Sequence, residues 1–182
     1  VLNMSNLVVL VGYMGSGKSS VGRKLAVKMD LPFIDLDDLI EQVEGKSISE
    51  IFEKQGVLHF RKLEREVLEN TLRENLNAVI AVGGGTPCYY NNMDMINEHG
   101  LSIYLRANVP QLSRRLFPER MQRPIIESQQ SLESLQEFIG KHLFERSPFY
   151  ERAHETLDVG LIDLDEVVQH CEHIINQRKT AE

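Results

Sequence analysis

The chain has 182 residues, enough for about one domain that buries roughly 70% of its unfolded surface without metal or disulfide support. A hydrophobic content of 42% and a charged content of 26% are ordinary for a soluble globular protein; the apolar runs fall far short of the ~20 residues that cross a bilayer, and no signal-peptide pattern opens the chain. A net charge of −7 argues against a general nucleic-acid binder, and the two cysteines, Cys88 and Cys171, lack metal-like spacing, which points to reduced thiols and a cytoplasmic location.

An apolar run at 7–11 reads as a buried strand. It leads into Gly12-Tyr13-Met14-Gly15-Ser16-Gly17-Lys18-Ser19, the pattern G-x-x-x-x-G-K-[ST], whose backbone N–H groups wrap nucleotide phosphates. Val21, Leu25 and Met29 follow at helical spacing, so the helix N-terminus, with its partial positive charge and unpaired donors, faces the bound anion. The phosphate-binding set is Gly15, Ser16, Gly17, Lys18, Ser19 and Ser20. Lys18 reaches the β/γ-phosphates and the Ser19 hydroxyl coordinates Mg²⁺.

Further apolar segments at 32–35, 78–82, 102–105 and 156–159 alternate with helical patterns, which implies βαβ units, a parallel sheet and helices on both faces. A helical insertion, about 36–76, separates the second and third strands. Ser47 and Glu50 have capping-box spacing, Gly56 interrupts the insertion, and a second helix runs from about 58 to 75. Residues 117–130 have two prolines and no apolar periodicity, and read as a mobile loop. Val167, Val168, Cys171, Ile174 and Ile175 mark an amphipathic C-terminal helix. With no internal repeat or linker, one domain over 1–182 is expected.

Ligands of open parallel sheets bind beyond the carboxyl ends of the strands. After the second strand stand Asp35 and Asp37. Extended geometry would put both on the side facing the phosphate loop, with Leu36 turned away and Asp38 as the cap of the next helix. One carboxylate could hold Mg²⁺ and the other could orient or deprotonate an acceptor hydroxyl. After the third strand, Gly83-Gly84-Gly85 suggests close approach of bare backbone to a ligand. Arg61 and Glu64, at i,i+3, describe by themselves an exposed ion pair; Arg146 near a helix end describes dipole compensation, and Arg123 a solvated charge.

Taken in order, the phosphate loop, Asp35-x-Asp37, Ile51-Phe52 leading to Phe60-Arg61-x-x-Glu64, the glycine triplet, Arg123-Pro124 and Arg146-x-Pro148-x-Tyr150 resemble the shikimate kinases over about residues 6–175. The resemblance implies a three-layer P-loop kinase fold with a five-stranded parallel sheet in the order 2-3-1-4-5. It implies ATP-dependent phosphorylation of the 3-hydroxyl of shikimate, with Mg²⁺, in a monomer without nucleic-acid or membrane partners. By the same resemblance Asp37 is the base or orienting group and Asp35, with Ser19, supports the metal. Arg61, Arg146 and Gly84, flanked by Gly83 and Gly85, hold the substrate carboxylate, while Phe52, Phe60 and Glu64 shape the pocket. Arg123 belongs to a lid at about 114–128 and joins Lys18 on the ATP phosphates. Adenine contacts, and roles for Arg115 and Arg120, are left unassigned. The competing readings are another small P-loop kinase, for gluconate or a nucleoside monophosphate, and a nucleotide-binding regulatory module with no acceptor. A nucleotide acceptor would need a base pocket and further phosphate-binding arginines in the inserted helices. A neutral sugar would not require the arginine pair, and the regulatory module leaves Asp37, Gly84, Arg61 and Arg146 without a shared purpose.

Overall fold

A computed structural model describes residues 6–123 and 125–181. Strands β1 (Asn6–Val11), β2 (Phe33–Asp35), β3 (Asn77–Ala81), β4 (Leu101–Arg106) and β5 (Glu155–Asp158) form a parallel sheet in the order β2-β3-β1-β4-β5. Each expected strand is found, displaced by at most a single residue at an end. Central β1 sets Val8 against Val79 of β3 on one side and Leu101 of β4 on the other. Because helices cover both faces of such a strand, it shows no polar alternation, and Leu7, Val8, Val9, Leu10 and Val11 are all buried.

Helix α1 (Lys18–Met29) buries Val21 and Leu25 and packs beside α7 (Leu164–Ala181), whose Val167, Val168, Cys171 and Ile175 enter the same core. Helix α2 (Leu36–Glu44) starts immediately after β2. Here the structure corrects the sequence reading. The Asp35 carboxylate accepts the Asp37 N–H at 3.2 Å, so Asp35 is the cap and Asp37 lies in the first helical turn rather than on extended backbone. Leu36 is fully buried, turned away as expected, whereas Asp38 is exposed and sits 3.5 Å from Arg23.

Helix α3 (Ile48–Glu74) opens on the anticipated capping box: the Ser47 N–H donates to Glu50 and the Glu50 N–H to the Ser47 hydroxyl, at 3.0 and 3.2 Å. Gly56, at φ 82° and ψ 170°, breaks it into two pieces. Helices α4 (Asn92–His99), α5 (Val109–Leu116) and α6 (Leu132–Tyr150) complete the layers. The segment read as a loop after α5 begins with a 3₁₀ helix, Phe117–Gln122. Such a turn rests on local i→i+3 bonds and needs no apolar stripe, so periodicity could not reveal it. Pro124, the second residue of the Arg123-Pro124 pair, lies outside the described residues. Among the described residues no helix is long and apolar enough to cross a membrane.

Candidate active site

The carboxyl ends of β1, β2 and β3 deliver three loops to one edge of the sheet. The loop after β1 turns through Gly15 and Gly17, at φ +78° and +94°, conformations that side chains resist. Helix α1 then begins with no side-chain cap, so its first N–H groups have no carboxylate or hydroxyl competing for them. Gly15, Gly17, Lys18, Ser19 and Ser20 line a cleft of about 580 Å³. Ser16 does not: it is buried beneath the loop, and its N–H closes the loop's own turn onto the Tyr13 carbonyl at 3.2 Å. The Lys18 ammonium donates to the carbonyls of Gly12 and Tyr13 at 2.8 and 3.0 Å. Burial lowers its pKa to about 8, against the pull of Asp37 and Asp35. The Ser19 hydroxyl donates to Asp35 Oδ2 at 2.6 Å.

Asp37 belongs to this cleft and also to a second cavity of about 410 Å³, which it shares with Arg61, Gly84, Gly85, Arg123 and Arg146. The acidic group thus stands on the common wall of two cavities, one with phosphate-binding chemistry and one holding a pair of arginines. Burial, then the neighbouring Asp35 and Glu64, raise the Asp37 pKa to about 6, although Lys18 acts in the opposite direction.

The glycine triplet makes room for these groups. A Cβ on Gly83 would come within 2.7 Å of Asp37 Oδ1, and one on Gly85 within 2.6 Å of Arg61 Nη2. None of the three has positive φ, so closeness and not backbone freedom requires them. The sequence suggested approach to a ligand; within the protein itself Gly83 and Gly85 approach the side chains of Asp37 and Arg61, and Gly84 approaches the backbone of Met14. Tyr150, buried at the end of α6, donates to the Gly84 carbonyl at 2.5 Å and pins the loop.

Arg61 and Glu64 are not the exposed pair that their spacing describes. Their side chains are 10% and 2% exposed, and Arg61 Nη1 donates to Glu64 Oε2 at 2.7 Å. The other Glu64 oxygen accepts from the Thr86 hydroxyl at 2.7 Å. The Arg61 guanidinium lies over the rings of Tyr89 and Phe60 at 4.2 and 5.0 Å. Phe60 and Glu64 therefore support Arg61 from behind without lining either cavity. Phe52, tilted against Phe60 at 4.5 Å, faces a third, adjoining chamber. Arg146 is buried on α6 with its guanidinium 5.8 Å from the centre of the Tyr13 ring.

Arg123 lines both cavities and pairs with Glu119 at 2.8 Å. Arg115, unassigned from sequence, also lines the phosphate cleft, donating to the carbonyls of Gly15 and Val159 at 3.3 and 3.1 Å. Arg120 instead turns onto Phe117, bonding its carbonyl and lying over its ring. Sequence reasoning also missed Tyr13, whose hydroxyl meets His142 Nδ1 at 3.0 Å, because 129 residues separate the two.

Among the described residues no cluster of three or more histidines, cysteines or carboxylates could enclose a metal. Ser19 with Asp35 offers two hard oxygen donors beside the phosphate loop, a set suited to a cation that takes its remaining ligands from phosphates and water, as Mg²⁺ does.

Comparison with known proteins agrees with this geometry. The shikimate kinase family model matches residues 14–176. The shikimate kinase of Flavobacterium johnsoniae is 43% identical over 163 residues, covering 89% of this chain and 94% of that protein. That of Flavobacterium psychrophilum is 37% identical over 169 residues, 92% and 98% of the respective chains. Among solved structures, shikimate kinase from Bacteroides thetaiotaomicron superposes with a TM-score of 0.86 at 35% identity, covering 93% of this chain and 98% of that one. The Acinetobacter baumannii enzyme in complex with shikimate gives 0.83 at 30% identity, over 96% and 94%. A gluconokinase from Sinorhizobium meliloti, at 17% identity and a TM-score of 0.51, shares the fold alone. With the family model spanning most of its length and relatives this similar over nearly all of theirs, the chain belongs to the shikimate kinase family.

Proposed function

We propose that this chain transfers the terminal phosphoryl group of ATP to the 3-hydroxyl of shikimate, giving shikimate 3-phosphate and ADP. The observation that carries the reading is the position of Asp37 on the wall shared by the phosphate cleft and the arginine-bearing cavity. An acceptor whose carboxylate sits on Arg61 and Arg146 would present its opposite face to Asp37 and to the incoming phosphoryl group. Arginine forks match a carboxylate bidentately, and an acceptor lacking that group would leave the guanidinium N–H groups that face the cavity without an anionic partner.

Phosphoryl transfer needs alignment and charge stabilisation more than covalent help. Asp37 orients the attacking hydroxyl and receives its proton. Lys18 leaves the Gly12 and Tyr13 carbonyls for the phosphates, and Arg123, in the 114–128 lid, adds charge from above. Ser19 and Asp35 would hold Mg²⁺, which would supply positive charge against the negative charge developing in phosphoryl transfer. Residues 36–76 serve as the acceptor-binding insertion of a single domain. The test is ADP release measured with shikimate, quinate, gluconate and no acceptor. Fast release with shikimate alone is expected; equal turnover without an acceptor would refute the reading.

A further inference from the structure

Tyr13 belongs to the phosphate loop, yet it lines neither the phosphate cleft nor the acceptor cavity, whereas its neighbour Met14 lines both. Its side chain turns inward, almost wholly buried. There it packs on the face of α6 that carries His142 and Arg146, one helical turn apart. The Tyr13 ring meets the His142 ring edge-on, with their centres 5.8 Å apart. A guanidinium at the range of Arg146 is attracted by the negative face of the ring, more strongly where water is scarce.

The hydroxyl fixes that ring. A buried phenol needs a hydrogen-bond partner, and here it is His142 Nδ1 at 3.0 Å. Burial raises the Tyr13 pKa to about 12, although Arg146 acts in the opposite direction; burial and then Arg146 lower that of His142. The phenol therefore keeps its proton and donates it to a neutral imidazole nitrogen. Arg146 has one further support, a hydrogen bond to the Tyr150 hydroxyl, which itself donates to the Gly84 carbonyl. The Tyr13 main chain serves the other substrate: its carbonyl accepts the Lys18 ammonium and the Ser16 N–H.

We propose that Tyr13 is a positioning residue for acceptor recognition. Its ring, held by the bond to His142, sets the Arg146 guanidinium at the acceptor cavity and touches neither substrate. The loop that grips the phosphates by its backbone thus also carries the prop of an acceptor arginine. This inference rests on the assignment of Arg146 to the acceptor carboxylate in the proposed function. A ring that works only through Arg146 has nothing left to position once Arg146 is removed. A ring that merely filled the core would loosen the loop and weaken nucleotide binding as well.

The test is calorimetric titration of shikimate, and separately of a non-hydrolysable ATP analogue, into wild type, Tyr13→Phe, Tyr13→Leu, Arg146→Ala and the double variant Tyr13→Leu with Arg146→Ala. Tyr13→Leu, which removes the ring, should weaken shikimate about tenfold. Tyr13→Phe keeps the ring and should weaken it only about threefold. The nucleotide analogue should stay within about twofold in both. In the Arg146→Ala background, Tyr13→Leu should change shikimate affinity by less than about twofold. The proposal is overturned if Tyr13→Leu binds shikimate like wild type, loses as much affinity for the nucleotide analogue, or costs a further tenfold in the absence of Arg146. Should Tyr13→Leu fail to fold, Tyr13→Phe and His142→Phe decide the matter. Together they should weaken shikimate no more than His142→Phe alone, since both remove the same bond, and additive losses overturn the proposal. If Arg146→Ala itself leaves shikimate binding intact, the arginine assignment falls and this inference with it; if only the Tyr13 variants are without effect, this inference falls alone.

Discussion

Arg61 and Glu64 meet at 2.7 Å in a setting from which water is nearly excluded, and each also has a second attachment: Glu64 to the Thr86 hydroxyl, Arg61 to the face of Tyr89. The carboxylate therefore fixes which edge of the guanidinium faces the acceptor cavity. Glu64→Ala leaves a buried positive charge without its partner, which typically costs about 3–5 kcal/mol. Denaturant titration should show a loss of that order, and the KM for shikimate should rise much more than that for ATP. Glu64→Gln, which keeps an acceptor for Thr86 and Arg61, should recover much of the stability. Equal KM changes for both substrates would contradict this division.

For Asp37, the raised pKa ties stability to activity. The folded protein holds its proton up to about pH 6, whereas the unfolded chain releases it near the ordinary value of 3.8. Below about pH 4 both states are protonated and Asp37 carries no penalty. As pH rises from there through about 6 the unfolded state gains relative to the native one, and above that the penalty is constant. Asp37→Asn removes it, so the ligand-free variant should be more stable than wild type at pH 7.5, by about 1–3 kcal/mol, and should lose this advantage near pH 4. Nucleotide binding should survive while most turnover disappears. Full activity in Asp37→Asn would falsify the assigned role.

Gly83 and Gly85 separate the two halves of the site. In each case the atom a new Cβ would strike is the end of a side chain, Asp37 Oδ1 or Arg61 Nη2, and not backbone, so the fold can yield. Gly83→Ala should therefore displace Asp37 and depress kcat, while Gly85→Ala should displace Arg61 and raise the KM for shikimate. Both should melt within a few degrees of wild type, a shift of about 1 kcal/mol or less. Steady-state kinetics on the pair, with melting curves, checks the contrast.

What could be read from the sequence, and what could not, follows from the range of the forces involved. The β1 strand, the phosphate loop, the Ser47–Glu50 box and the Gly56 break are set by residues within a few positions of one another, and each stands where its spacing put it. The Asp35–Asp37 arrangement was also local, but two local outcomes compete there: continued extension, or capture of the Asp37 N–H by the Asp35 carboxylate, and the second prevails. Burial of Arg61 could not be read from i,i+3 spacing, since it depends on Tyr89 and the glycine loop arriving from elsewhere in the chain. The same holds for Arg115 and for the contact between Tyr13 and His142. The ordered set of motifs, compared with a family, supplied a role for Arg61 but none for Arg115 or the Tyr13–His142 contact.

Arg146 tests the acceptor end independently of Arg61. It lines the acceptor cavity and is absent from the lining of the phosphate cleft. Arg146→Ala should weaken shikimate binding by about 2–5 kcal/mol, the usual effect of truncating one partner of a buried charge-assisted pair, with ATP affinity changed less than about twofold. Calorimetric titration of each substrate alone gives both numbers directly. A large loss of nucleotide affinity with normal shikimate binding would contradict the placement.

Asp35 combines two duties that one substitution can split. Its Oδ1 caps α2 by accepting the Asp37 N–H, and its Oδ2 accepts the Ser19 hydroxyl at the proposed Mg²⁺ position. Asparagine caps helices about as well as aspartate does, but is a neutral and weaker donor to a hard cation. Asp35→Asn should therefore leave the melting temperature close to wild type while raising the Mg²⁺ concentration for half-maximal activity about tenfold or more. Asp35→Ala should show the same Mg²⁺ defect together with a loss of about 1 kcal/mol from the missing cap. If Asp35→Asn keeps the wild-type Mg²⁺ dependence, the carboxylate is only a cap, and the metal must rest on Ser19, phosphate and water without it.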